Sequence, residues 1–266
     1  MKNDTKRAVI VAVAVLAVFG ATYMSIAAYS GTLSPFYTVE SGSMRHSDRS
    51  KIGIIDTGDM VIVRDPSKTD IITYVEGHET GYQKFGDYGD VIIYDRPGRT
   101  PVIHRVILYL ESNDDKAENG NITWSIPSLE NYKGTWYIDG TPGNPDDANA
   151  LEGTLSFENF GYAGRSFELR LYNLNPGSGY ITMGDANDRP DQESNISQNT
   201  LVSRDRILAV AAHEMPWLGC IKLLLTGKNI NEIPSNSLPS LITVFVLIFI
   251  TFIVVNLVLE RTKNKQ

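Results

Sequence analysis

The sequence predicts a mainly β domain held between two membrane-spanning helices, one near each end of the 266 residues. Residues 8–29, AVIVAVAVLAVFGATYMSIAAY, and residues 238–259, LPSLITVFVLIFITFIVVNLVL, carry no charge. Each approaches the ~20 apolar residues that cross a hydrocarbon core of ~30 Å. Between them the chain breaks into short β-branched and aromatic runs punctuated by glycine, proline and aspartate, and no long amphipathic helical pattern appears before residue 207.

The first apolar run begins after Lys6 and Arg7 and ends among Ser25, Ala27 and Ala28, which gives it some features of a cleavable signal peptide. Its length exceeds the ~7–15 apolar residues of a signal core, so it reads as a retained anchor. Lys2, Lys6 and Arg7 precede this span, and Arg261, Lys263 and Lys265 follow the other. Basic flanks favour the cytosol, which places residues 30–237 outside. The expectation is a multi-pass protein of the plasma membrane, partnered by the lipid bilayer, with an extracytoplasmic domain. Residues 1–30 form tail and anchor; residues 238–266 form the second helix and tail.

The domain itself reads from four strand-like runs: MVIV at 60–63, VIIY at 91–94, VIHRVILYL at 102–110 and FELRLYNL at 167–174. The pairs Gly58-Asp59 and Gly89-Asp90 each lead into a run, as turns feeding buried strands do. Two polar stretches read as insertions, residues 66–88 with His78 and residues 111–177. Within the second, WYI, TLSF and FELRL predict a small β subdomain. Its DDKAENGN segment reads as an acidic loop and DGTPGNPDDANALEG as a solvated one, since the latter lacks the spacing of a calcium-binding helix–loop–helix. This divides the chain into a β domain at 31–110 and 178–213, with 111–177 inserted. Residues 214–237 read as a membrane-interfacial segment, because EMPWLGCIKLLL with Trp217 and Lys222 suits a headgroup layer as well as a core.

Bulk composition excludes some functions. A net charge of −7 offers no basic field for nucleic acid. The single Cys220 excludes an internal disulfide framework and reads as a small buried apolar residue. Asn121 and Asn195 begin glycosylation-type tripeptides.

Three short elements carry candidate chemistry. Ser41-Gly42-Ser43-Met44 follows the extended run Tyr37-Thr38-Val39-Glu40; His104 sits in the strand-like PVIHRV; GDANDRPD occupies residues 184–191 after YITM. A serine becomes a nucleophile only when a base takes its proton and donors stabilise the oxyanion. Singly, each element is a common loop, strand or turn.

Their order after a membrane anchor resembles the type I signal peptidase family, in particular its archaeal and endoplasmic-reticulum branch, where histidine stands in place of the bacterial base lysine. The resemblance covers residues 8–110 and 178–225 and skips 111–177. It implies a signal-peptidase-like β catalytic domain that removes N-terminal signal peptides from secreted or membrane preproteins, near the protein-export channel and with no cofactor or metal. By position it implies Ser43 as nucleophile, His104 as general base and Asp191 as the acid that orients the histidine. Ser41 and the Ser43 N–H match oxyanion donors, and Asp185 a supporting acid. Asp188 competes with Asp191 for the orienting role. The chain departs from the family in lacking a proline after Ser43-Met44, in the length of residues 45–57 and in the large insertion. His46 lies too near Ser43 along an irregular loop to be a good alternative base. A peptidase with few substrates, selected by residues 111–177, and a silent β binding domain remain as other readings. The complete Ser/His/Asp set argues against the second.

Overall fold

A computed structural model describes residues 2–116 and 122–263, so Asn121 lies outside the described residues. The chain opens with helix α1 (Lys2–Ser30), followed by β1 (Phe36–Thr38) and β2 (Met60–Arg64). The polar stretch after β2 folds into helix α2 (Tyr74–Thr80) and a small hairpin of β3 (Gln83–Lys84) and β4 (Asp87–Tyr88). Next come β5 (Val91–Arg96), the long β6 (Arg99–Lys116) and β7 (Ile122–Ser125), then β8 (Thr135–Ile138), β9 (Thr141–Pro142), β10 (Thr154–Phe160) and β11 (Arg165–Arg170). The chain ends with β12 (Ser178–Met183), β13 (Ile207–Met215), helix α3 (Cys220–Thr226) and helix α4 (Ser237–Lys263). The domain between the terminal helices is mainly β, as its short β-branched and aromatic runs predict.

Among the described residues, the principal sheet is antiparallel and ordered β1-β2-β13-β5-β6-β12, with β7 also on β6. A second sheet is ordered β11-β10-β8-β9. The domain boundary expected at residue 110 falls inside β6. The segment read as a loop, DDKAENGN, begins inside that continuous strand, and β7 returns to pair with it. The inserted sheet is also not a separate body. Ile107, Leu108 and Ile181 of the principal sheet share one buried cluster with Trp124, Trp136, Phe157 and Phe167. Trp124 is fully buried, and its indole N–H donates to the Leu171 carbonyl at 3.1 Å. Burial of each such side chain contributes ~1.5–3 kcal/mol, so the two sheets stabilise one another.

A second buried cluster, with Val39, Met44, Val61, Val91 and Ala209, lies under the segment after β1. Met44 is 1% exposed, which pins the SGSM loop to the sheet by its apolar end. The polar insertion is tied in by a capping box at α2, where Thr73 and Glu76 satisfy each other's backbone donors. Gly89 there has φ +75°, and a Cβ on it would lie 2.5 Å from the Tyr74 nitrogen, so no other residue fits that turn.

Residues 8–30 and 237–258 have mean hydropathies of 2.4 and 3.0 and form helices long and apolar enough to cross a membrane. The end of α1 is fastened to β2, since the Ser30 carbonyl accepts from Asp65 N–H at 2.8 Å and its hydroxyl donates to the Val63 carbonyl. The expected interfacial segment splits in two. Glu214 and Met215 pair with β2 as the end of β13, whereas α3 buries Cys220 and Leu223 and exposes Ile221, Leu224 and Leu225.

Candidate active site

Strand periodicity sets the site. Successive residues of β6 point to opposite faces, so His104 and Arg105 look in different directions. Both are nonetheless buried, at 2% and 1% exposure, and each requires a polar partner. The turn after β12 supplies both.

On one face, His104 Nδ1 lies 2.7 Å and 2.9 Å from the two carboxylate oxygens of Asp191. Asp191 is fully buried, and its Oδ2 also accepts from the Tyr94 hydroxyl at 2.8 Å and the Thr182 hydroxyl at 2.7 Å. Three donors thus fix the carboxylate. Burial and then the neighbouring Asp191 charge push the Tyr94 phenol up, which keeps it a donor. A carboxylate can only accept, so Nδ1 carries a proton and, in the neutral tautomer, Nε2 has the lone pair.

On the other face, Arg105 makes a two-pronged pair with Asp185, Nε to Oδ1 at 2.8 Å and Nη2 to Oδ2 at 2.6 Å. Its Nη1 donates to the Gly89 and Lys84 carbonyls at 3.0 and 2.9 Å. Burial alone would raise Asp185, yet the Arg105 charge and the hydrogen bonds from Arg105 and His46 outweigh it and hold the carboxyl below its usual range. His46 Nε2 lies 2.8 Å from Asp185 Oδ2. Asp185 therefore holds the loop, and His46 is engaged with it. Removing one partner of a buried pair like Arg105–Asp185 costs ~3–5 kcal/mol, since the other charge is left uncompensated.

The nucleophile candidate comes from the opposite side. Ser43 and Ser41 line a cleft of ≈730 Å³ with His104, and their hydroxyl oxygens lie 3.3 Å apart. The Ser43 carbonyl accepts from the Ala186 N–H at 2.8 Å, which ties the SGSM loop to the GDAN loop. Gly184 fills the gap between them: a Cβ there would lie 2.6 Å from the Ser43 carbonyl oxygen and 2.8 Å from His104 Nε2. Nε2 thus faces the Ser43 backbone and the cleft. The walls are residues 36–41 on one side and 100–104 on the other. Among the described residues β1 is an edge strand, paired only with β2, so its other side presents free backbone groups to the cleft.

Asp188, expected as a competitor for the orienting role, is excluded by position. It is exposed and paired with its neighbour Arg189, Oδ1 to Nε at 3.2 Å. The turn directs residue 188 outward and lets Asp191, three residues on, return beneath the histidine. Sequence reasoning missed Tyr94, Thr182, Arg105 and Gly184. Only Arg105 had a visible signal, a charge inside an otherwise apolar strand.

A strap before α4 borders the SGSM loop. Asn229 donates to the Glu40 carbonyl at 2.6 Å, Glu232 accepts from Gly42 N–H at 3.1 Å, and Asn236 bonds both Ser50 N–H and its carbonyl at 2.9 Å. Lys222 of α3 pairs with Glu40 at 3.0 Å, a half-exposed contact worth ~0–1 kcal/mol.

Compared with known proteins, the chain matches no family model and no curated protein.

Proposed function

We propose that this chain is a membrane-anchored serine endopeptidase that removes signal peptides from exported preproteins, with Ser43 as nucleophile, His104 as general base and Asp191 as its orienter. The observation that carries the reading is the buried Asp191–His104 pair, whose free Nε2 turns toward the cleft that holds Ser43 and Ser41. A binding module has no need of a carboxylate clamped by three donors under a histidine. The division of labour follows the serine triad. His104 takes the Ser43 proton as the hydroxyl attacks the scissile carbonyl, then returns it to the leaving amine. Asp191 holds the proton on Nδ1 and stabilises the imidazolium. The Ser41 hydroxyl, beside Ser43, and the Ser43 N–H are the oxyanion donors, each worth ~10²–10³ in kcat.

The shape of the cleft suits an extended polypeptide added along the free edge of β1. The first span ends only a few residues before β1, which keeps the cleft near the membrane surface where a signal peptide's cleavage site arrives. The charges flanking both spans favour tails in the cytosol and the domain outside. Incubation of the purified full chain with a preprotein should release the mature product, and Ser43→Ala, folded to the same melting temperature, should release none. Equal turnover by Ser43→Ala would end the proposal.

A further inference from the structure

The inserted sheet reaches into the candidate site. The turn between β10 and β11, residues 161–164, lies against the SGSM and GDAN loops. Gly161 N–H donates to the Tyr74 hydroxyl at 3.0 Å and Tyr162 N–H to Asp87 Oδ2 at 2.7 Å, so the turn is held from the principal domain at two points. The Tyr162 ring stacks on His46 with centroids 3.7 Å apart and planes 6° from parallel, and its hydroxyl points to the Arg45 carbonyl at 3.4 Å. Arg165 at the start of β11 donates to the Asn187 carbonyl at 2.6 Å and to the Asp185 carbonyl, while its guanidinium lies 5.6 Å from the Tyr162 ring centroid.

These contacts bracket Ala186, the residue whose N–H holds the Ser43 carbonyl. One guanidinium grips the carbonyls on either side of it, and one tyrosine grips the two residues that follow Met44. A guanidinium is suited to this, because its planar fork spans two acceptors at once. The insertion therefore touches both halves of the site from outside the cleft, since neither Tyr162 nor Arg165 lines it.

We infer that Arg165, supported by Tyr162, is a positioning residue: the inserted hairpin clamps the GDAN loop and through Ala186 sets the place of Ser43 relative to His104. This rests on the proposed peptidase reading for its catalytic consequence, and on the hydrogen bonds alone for its physical one. The clamp should act on turnover more than on substrate affinity, because neither Arg165 nor Tyr162 lines the cleft and the Asn187 that does is held only by its backbone carbonyl. Tyr162→Phe keeps the stacked ring and loses only the long hydroxyl contact to Arg45, so it should lose less than Tyr162→Ala, which should follow Arg165→Ala in milder form.

The test uses the full chain in detergent with two readouts. In Arg165→Ala, amide exchange at Ala186 should accelerate about tenfold or more while the amides of β10 stay protected, and kcat should fall about tenfold or more with KM within twofold. Guanidinium at low millimolar concentration should restore part of kcat to Arg165→Ala, and ammonium should not. Unchanged exchange at Ala186 would overturn the clamp whatever happens to activity. Faster exchange with an unaltered kcat, or a loss confined to KM, would overturn the positioning role. An inactive wild type would count against the peptidase function, and the exchange at Ala186 would still decide the clamp.

Discussion

Gly184 lies against the Nε2 edge of His104, so closely that a Cβ would sit 2.8 Å from that nitrogen and 2.6 Å from the Ser43 carbonyl oxygen. Real Cβ atoms are not found so near, and here both neighbours are fixed, one by Asp191 and one by Ala186. Gly184→Ala should push the imidazole and the SGSM loop apart. Overpacking of this kind costs ~1–3 kcal/mol of stability, and small displacements at reacting groups cost ~10² in rate. The expected result is a folded protein with kcat/KM down about a hundredfold. A variant of full activity would show that the two loops give way without consequence.

Asp191 and Asp188 are three residues apart and in opposite surroundings, one fully buried under His104 and one exposed beside Arg189. Asparagine at 191 offers an amide group where the ring N–H needs an acceptor, so the imidazole loses its preferred tautomer. Asp191→Asn should lower kcat/KM by ~10³–10⁴, a typical effect of tautomer loss in a serine triad. Asp188→Asn should stay within about twofold. Kinetics on the two variants, side by side, decide the matter, and a larger loss at 188 would reverse the assignment.

The strap before α4 gives the second long apolar helix a hold on the SGSM loop. Glu232 accepts from Gly42 N–H, between the two serines of the SGSM loop. Glu232→Ala removes the acceptor, whereas Glu232→Gln keeps an oxygen in the same place. Cleavage should fall about tenfold in the alanine variant and only a few-fold in the glutamine variant, since a bond to a carboxylate is worth ~1.5–3 kcal/mol and the neutral one that replaces it ~0.5–1.5 kcal/mol. Equal losses in both would mean that the charge matters and the hydrogen bond does not.

How much of this was legible beforehand depended on whether the signal was local. MVIV, VIIY and VIHRVILYL read as strands because short runs rich in β-branched and aromatic residues, two of them led in by Gly-Asp pairs, leave few alternatives, and they are β2, β5 and the inner half of β6. The chain positions of Ser43, His104 and Asp191 were visible as motifs. What held them was not. Tyr94 and Thr182 lie 97 and 9 residues from Asp191, and each is an ordinary member of a strand pattern. Tyr162 and Arg165 sit in the segment read as an inserted β subdomain, which the family resemblance skips, so nothing in the sequence tied them to the GDAN loop. Contacts that join distant segments leave no periodic trace, so the shared core of Ile107, Trp124 and Phe157 appeared only in three dimensions.

The remaining prediction concerns pH and a pair of acids away from the candidate site. Burial pushes Asp59 up to about 7, against hydrogen bonds from Trp217 and Asp56 that favour its charge. Burial likewise pushes Glu214 up to about 7, although Gly53 N–H donates to it, and its Oε2 is buried without a partner. In the unfolded chain both carboxyls titrate near ~4. Between ~4 and 7 the folded protein therefore binds more protons than the unfolded one, so these groups make stability fall as pH rises through that window. Their destabilising effect is complete only above about 7. Glu214→Gln keeps an oxygen for Gly53 and removes the charge, so it should melt higher than wild type at pH 8 and lose that advantage by pH 5. For a domain of this size the gain at pH 8 should be on the order of 5 °C. Melting curves of the full chain in detergent at the two pH values measure it. An advantage that is equal at both, or larger at pH 5, would mean that Glu214 is charged and compensated in the folded state.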